Sequence, residues 1–166
     1  KIAQLPQPNR TATGLSLPGL EAAGKNIACE EISGDFFDFV RLDDGRAAIW
    51  VADVSGHGVG PALLASEVRG EMRVLLGLDP DPGVVLSRVH ENLRSIMDPG
   101  RFLTLVLTVI DVPAGTLSYA SAGHCEGVLH KGGETITLPH TARTASWNSS
   151  LRATKSVSQL TSTMTP

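Results

Sequence analysis

The order of elements written into this sequence predicts an α+β fold, with helices packed on a mainly antiparallel sheet. Three observations carry that reading. Phe36–Leu42 and Arg46–Asp53 are strand-like arms joined by Asp43-Asp44-Gly45, a hairpin turn signal. Two helical stretches follow, each opened by a proline at Pro61 and Pro82. From Arg101 to Leu138 the chain returns to short strands separated by glycine-containing turns.

Taken in order, the opening to about Asn9 reads as a linker, because Pro6 and Pro8 prevent regular helix. Leu15 to Cys29 contributes one strand after the Pro18-Gly19 turn. The arm Ala47-Ala48-Ile49-Trp50-Val51-Ala52 is apolar at successive positions, as expected of a strand covered on both faces. Ser55–Gly60 is glycine-rich and must turn tightly before a helix running to Leu76. Asp81 is placed to cap a second helix, whose Val85, Val89, Leu93, Ile96 and Met97 form a stripe at three- and four-residue steps. Arg101–Asp111, Thr116–Ala122, Gly127–His130 and Thr135–Leu138 follow as strands, the last two joined by Gly132-Gly133.

Composition limits the function classes. The 166 residues suit one domain, and 42% apolar with 19% charged is a normal globular balance. No apolar run approaches the roughly 20 residues that span a bilayer, so no membrane partner is expected. The first residues lack the pattern of a secretory leader and an initiator Met, which suggests a domain cut from a longer protein. A net charge of −3 without a basic run argues against nucleic acid as the main partner. Cys29 and Cys125 stand far apart and read as two buried free thiols of a reducing compartment, so the cytoplasm is the expected location. Asn9 and Asn148 fit the glycosylation pattern only by accident on that reading.

Chemistry concentrates in two stretches, Glu31-Ile32-Ser33-Gly34-Asp35-Phe36-Phe37-Asp38-Phe39 and Val51-Ala52-Asp53-Val54-Ser55-Gly56-His57-Gly58. Each sets an Asp beside Gly at a strand end, where carboxylates of adjacent strands can converge. Hard oxygen donors select Mg²⁺ or Mn²⁺, and no Cys/His set suited to zinc is present. Taken alone, an Asp-Gly pair is usually a turn and a strand-end Asp usually a solvated cap. The pairing across one hairpin is what favours function.

These residues resemble a known family. Ser33-Gly34-Asp35-Phe36-Phe37-Asp38-Phe39, Asp53-Val54-Ser55-Gly56-His57-Gly58 leading into Pro61-Ala62-Leu63-Leu64, Arg101-Phe102-Leu103-Thr104-Leu105 and Tyr119-Ala120-Ser121-Ala122-Gly123-His124 occur in family order. The chain is similar, over about residues 5–140, to metal-dependent serine/threonine phosphatases of the protein phosphatase 2C type. Within that type it looks like the SpoIIE-like branch of bacterial sporulation and stress-response regulators. The resemblance implies an α-β-β-α sandwich of mainly antiparallel sheets with two Mn²⁺ or Mg²⁺ ions at one edge. It implies that Asp53 bridges the metals, that the Val54 carbonyl binds one, and that Asp35 supports that same metal. Asp35 and Asp53 would then act through a metal-bound water that attacks phosphorus in line. The implied substrate is phosphoserine or phosphothreonine on an anti-sigma-factor antagonist. Glu31 and Asp38 are candidates to contact metal waters or simply to face solvent. His57 and His124 are candidates for the same surroundings, with structural roles favoured: one shaping the turn, the other bonding backbone beside the sheet. Arg101 is a candidate phosphate contact or a surface residue, and Cys125 reads as a packed thiol.

The chain departs from the family at its end. The resemblance implies later metal-binding Asp residues, yet no acidic residue follows Glu134. One metal keeps Asp35, Asp53 and the Val54 carbonyl, and the other little beyond Asp53, so one ion or none is expected to bind tightly. Texture changes too: twelve of the final 26 residues are Ser or Thr. Where relatives carry a Gly-Leu-Pro-Leu-Gly-like segment, this chain has Arg143-Thr144-Ala145-Ser146-Trp147. CGG ACT GCC TCT TGG encodes those five residues, and reading it one base later restores the family segment. The tail therefore reads as a frame slip starting near Ala142, with a divergent Ser/Thr-rich linker as the alternative. The expected organisation is a linker at 1–9, an incomplete phosphatase domain at 10–140 and an atypical tail at 141–166. Missing strands would leave sheet edges open and favour self-association, unless the tail folds back as cover. Two other functions stay open: a non-catalytic phosphoprotein-binding module, and an unrelated metal-dependent hydrolase using Asp35 and Asp53 differently.

Overall fold

The computed structural model describes residues 14–24, 26, 34–43, 45–131, 134–138 and 158–161, with only the backbone of Lys131 and of 158–161. The linker at 1–9, Cys29, Glu31, Asp44, both Asn sites and nearly all of the tail lie outside these residues.

Strands β3 (Phe36–Arg41) and β4 (Arg46–Val54) form the expected hairpin, with Phe36 opposite Ala52 and Arg41 opposite Ala47. Asp43 organises its turn, accepting hydrogen bonds from the amides of Gly45 at 3.1 Å and Arg46 at 2.9 Å. After β4 come helices α1 (Val59–Leu78) and α2 (Pro82–Ile96), then β5 (Leu103–Asp111) and β6 (Thr116–Ala122). Helix α2 opens as its sequence dictates, with the Asp81 side chain accepting from Val84 N at 2.8 Å and Pro82 in the first turn. Helix α1 is longer than the 61–76 expected, because Val59 and Gly60 already wind ahead of Pro61.

The central sheet runs β3-β4-β5-β6 and ends on a strand at Ser158–Thr161 (β9), all neighbours antiparallel. Side-chain alternation then sorts the sheet into two faces. Ala48, Trp50, Ala52 and Val54 of β4 and Leu103, Leu105, Leu107 and Val109 of β5 meet Ala65, Val68, Met72, Val85, Val89 and Leu93 of the helices. Each large side chain so buried contributes about 1.5–3 kcal/mol. Met97 continues the α2 stripe against this core, whereas Ile96 is 51% exposed at the helix end. The other face is not closed as the apolar run of β4 suggested. Ala47 is buried, but Val51 is 42% exposed, since among the described residues no helix covers that side.

The segment before β3 forms two strands instead of one, β1 (Leu15–Leu17) and β2 (Leu20–Ala22), because Pro18-Gly19 closes a hairpin between them. Gly24 packs against the Phe37 ring, which places this segment on the face away from the helices. Strands β7 (Gly127–Lys131) and β8 (Glu134–Leu138) pair as a separate hairpin. Strand β9 (Ser158–Thr161), from the tail, pairs with Thr116–Tyr119 of β6 and occupies that sheet edge. Among the described residues no helix is long and apolar enough to cross a membrane.

Candidate metal centre

The hairpin register brings the two predicted carboxylates together. Phe36 is opposite Ala52, so one step further sets Asp35 opposite Asp53. Both stand at odd positions of their strands, on the face away from the helices. Val54 N donates to Gly34 O at 3.4 Å, and Asn26 Nδ2 donates to the Asp35 carbonyl at 2.8 Å, holding the strand ends in place. Gly34 is required here: a Cβ on it would stand 2.5 Å from the Val54 carbonyl oxygen.

Asp53 is raised above the ordinary carboxylate value of 3.8 by burial, then by the Asp35 charge, then by a side-chain hydrogen bond with Asp35. Two facing carboxylates cannot both ionise cheaply, so they demand a proton or a cation between them. Two carboxylates with the Val54 carbonyl beside them fit one hard divalent ion, which takes oxygen ligands. They fall short of a closed cage. Among the described residues no group of three or more His, Cys, Asp or Glu is placed to hold a metal.

Across from Asp53 in the next strand is Thr104. Its Oγ1 lies 2.8 Å from His124 Nδ1, so among the described residues His124 bonds a side chain where a backbone bond was expected. Burial pulls the His124 imidazole below its ordinary value, and the Asp35 charge pulls it upward. Thr104 escaped sequence reasoning, because its relevance comes only from the β4–β5 register.

The turn after Asp53 is built by glycine and serine. Gly56 and Gly58 take φ of 100° and 87°, values that a side chain would strain. Ser55 ties the turn to β5, its N donating to Phe102 O at 2.9 Å and its Oγ accepting from Phe102 N at 2.9 Å. His57 sits within this turn, between the two left-handed glycines. The Arg101 guanidinium lies over Gly56 and Gly60 and pairs with Asp98 at 3.3 Å.

Two expectations need correcting. Asp38 neither meets the carboxylate pair nor faces solvent. It is at an even position of β3, on the helix side, and is 3% exposed. Arg69 Nε donates to its Oδ2 at 2.7 Å, Arg73 Nε to the same oxygen at 2.8 Å, and Arg73 Nη2 to Oδ1 at 3.0 Å. Burial pushes this carboxyl up, but the Arg73 and Arg69 hydrogen bonds outweigh it and hold Asp38 below 3.8. Cys125, read as a packed thiol, is exposed and free, because it follows the end of β6 in an open loop. Glu31 lies outside the described residues.

With this geometry in hand, similarity to known proteins becomes informative. Residues 43–145 match the family of stage II sporulation protein E. Phosphoserine phosphatase RsbU of Bacillus subtilis (strain 168) is 30% identical over 128 residues, covering 73% of this chain and 37% of RsbU. The SiaA-PP2C domain of Pseudomonas aeruginosa shares the fold with a TM-score of 0.65 at 22% identity, over 80% of this chain and 52% of that one. RsbX in complex with magnesium does so with a TM-score of 0.56 at 22% identity, over 78% of this chain and 61% of that one. The chain thus spans little more than a third of the curated relative RsbU. A hairpin that sets two aspartates face to face, within this α+β framework and this sequence match, has one family to belong to: the chain is a member of the SpoIIE family, by family a phosphatase domain of the protein phosphatase 2C type.

Proposed function

We propose that this domain hydrolyses phosphoserine or phosphothreonine in a protein of the anti-sigma-factor antagonist class, with a divalent cation held by Asp35, Asp53 and the Val54 carbonyl. The observation that carries the reading is the register-imposed meeting of Asp35 and Asp53 on the face away from the helices. A bound Mg²⁺ or Mn²⁺ supplies acidity to the attacking water and neutralises charge on the phosphoryl group. The chain's own residues do the positioning. Gly34 lets the Val54 carbonyl approach the pair, and Ser55 fixes the turn against β5. Arg101, lying over Gly56 and Gly60, offers a cation to phosphate at the rim. Thr104 orients His124 beside Asp35.

Residues 135–166 offer no carboxylate to a second ion, so on this reading phosphate release by these residues should need high metal concentration. That same observation favours a second reading, a module that binds the phosphoprotein without cleaving it. Phosphate release from a phosphoserine protein of this class, with Mn²⁺ and with chelator, separates the two. Release that depends on Mn²⁺ and disappears in Asp53→Asn supports the phosphatase. Stoichiometric binding without release supports the second reading, and chelator-insensitive release refutes both.

A further inference from the structure

Asp38 was expected near metal waters, and its actual place assigns it another task. Among the described residues strand β3 is the edge of the central sheet, paired with β4 alone. Edge strands fray from their ends, and the first residue before this one is Asp35. The end of β3 is also where Asp35 meets Asp53, so fraying there moves the two candidate ligands apart. Something must oppose that. The backbone bond from Val54 N to Gly34 O is long at 3.4 Å, and the Asn26 bond to the Asp35 carbonyl, at 2.8 Å, is exposed to solvent.

The clamp supplies the opposition. Asp38 is buried and receives three charge-assisted hydrogen bonds, at 2.7, 2.8 and 3.0 Å, from Arg69 and Arg73. Its Oδ1 also accepts from Phe39 N at 2.9 Å, so the carboxylate is fixed to its own strand as well as to the helix. Helix α1 is in turn tied to β4 through the 55–58 turn and by packing of Ala65, Val68 and Met72 on the sheet. Arg69 and Arg73 therefore bind β3 to a body that already moves with β4.

We propose that Asp38 is a positioning residue for the Asp35–Asp53 pair, acting through Arg69 and Arg73 to keep edge strand β3 docked while the pair is without its cation. This rests on the reading of Asp35 and Asp53 as cation ligands. Its consequence is preorganisation: ligands already held in facing register bind a cation without first closing the strand.

The test uses the full chain with Asp38→Asn, which keeps the size but turns one acceptor oxygen into an NH₂ donor and removes the charge both arginines hold. Two quantities are read well below the melting temperature: Mn²⁺ dissociation by electron paramagnetic resonance, and hydrogen exchange of metal-free amides. The expected result is roughly tenfold weaker Mn²⁺ binding. Amides of residues 35–37 should exchange about tenfold faster relative to those of β5. A merely structural role predicts otherwise, with unchanged Mn²⁺ affinity in the folded chain and exchange that rises evenly through β3 and β5. That outcome overturns the proposal. If the unaltered chain takes up no Mn²⁺, the cation reading itself fails, and the 35–37 to β5 exchange ratio alone decides whether the clamp docks β3. Should Asp38→Asn not fold, Arg73→Gln, which leaves Arg69 on the carboxylate, is read by the same two measurements.

Discussion

Gly34→Ala is the sharpest probe of the centre, because a single methyl collides with a candidate ligand. The added Cβ would stand 2.5 Å from the Val54 carbonyl oxygen, 3.4 Å from its carbon and 3.3 Å from Pro61 Cβ. Two of those neighbours are backbone, so no rotamer change relieves the clash. The strand ends must part by about 0.5 Å merely to reach 3.0 Å, the shortest separation real Cβ atoms show. Overpacking of this kind costs about 1–3 kcal/mol. For a chain of this length that lowers the melting temperature by roughly 2–12 °C. The functional effect is larger. Half an ångström is about the whole tolerance of a ligand set, and a misplacement of about 1 Å costs on the order of a hundredfold. Calorimetric Mn²⁺ titration and phosphate release should both fall at least about tenfold, in a chain still folded at the assay temperature. Gly70→Ala and Gly77→Ala serve as controls: both positions are helical with nothing within 4 Å. Each should raise stability by up to about 1 kcal/mol and leave metal binding alone. If Gly34→Ala binds Mn²⁺ as the parent does, Val54 is not a ligand and the proposed geometry is wrong.

Asp53→Asn should melt higher than the parent in the absence of metal at pH 7, by up to about 1 kcal/mol, the scale of a cross-strand charge pair. The sign follows from the raised Asp53 value: the neutral form's stabilisation is full below the ordinary 3.8 and is lost as pH rises through the folded value, so the difference should vanish at acid pH in urea titrations. Equal stability of the two chains across that range would refute it. Thr104→Val keeps shape but strips His124 of its partner, and should cost about 1 kcal/mol in urea unfolding; no change would mean the 2.8 Å contact is not formed in solution. Removing residues 139–166 takes β9 from β6, leaving Thr116–Tyr119 paired with β5 alone and open on its outer side, and should drive concentration-dependent association in sedimentation, whereas a monomeric truncated chain would show that β9 does not guard that edge.

Much of this was legible in the residues because local chemistry and the final fold agree. Asp43 with Gly45 makes a turn by its own hydrogen bonds, and Asp81-Pro82 starts a helix before any tertiary contact forms. Asp35 and Asp53 could be paired from a hairpin register alone. What the sequence left obscure depends on contacts between distant segments. Asp38 is three residues from Asp35, and only the alternation of β3 against a helix starting at Val59 sends it to the opposite side. Thr104 gains meaning from a strand some fifty residues after Asp53. Cys125 read as a packed thiol because two far-separated cysteines suit a reducing compartment, yet β6 ends at Ala122 and the thiol emerges into a loop. The Pro18-Gly19 turn was visible, but the shortness of its first arm hid the second strand.

The alternation of β3 makes it a partition. Reactive oxygens hang on one side of a single peptide layer and the bracing cation pair grips the other, with only two residues intervening. Substitution on either side can therefore drift independently, as long as the spacing survives. Loss or gain of one residue between positions 35 and 38 cannot be absorbed, since it would deliver a naked carboxylate into hydrocarbon or swing the brace into water. Length, more than identity, is what this short strand must keep.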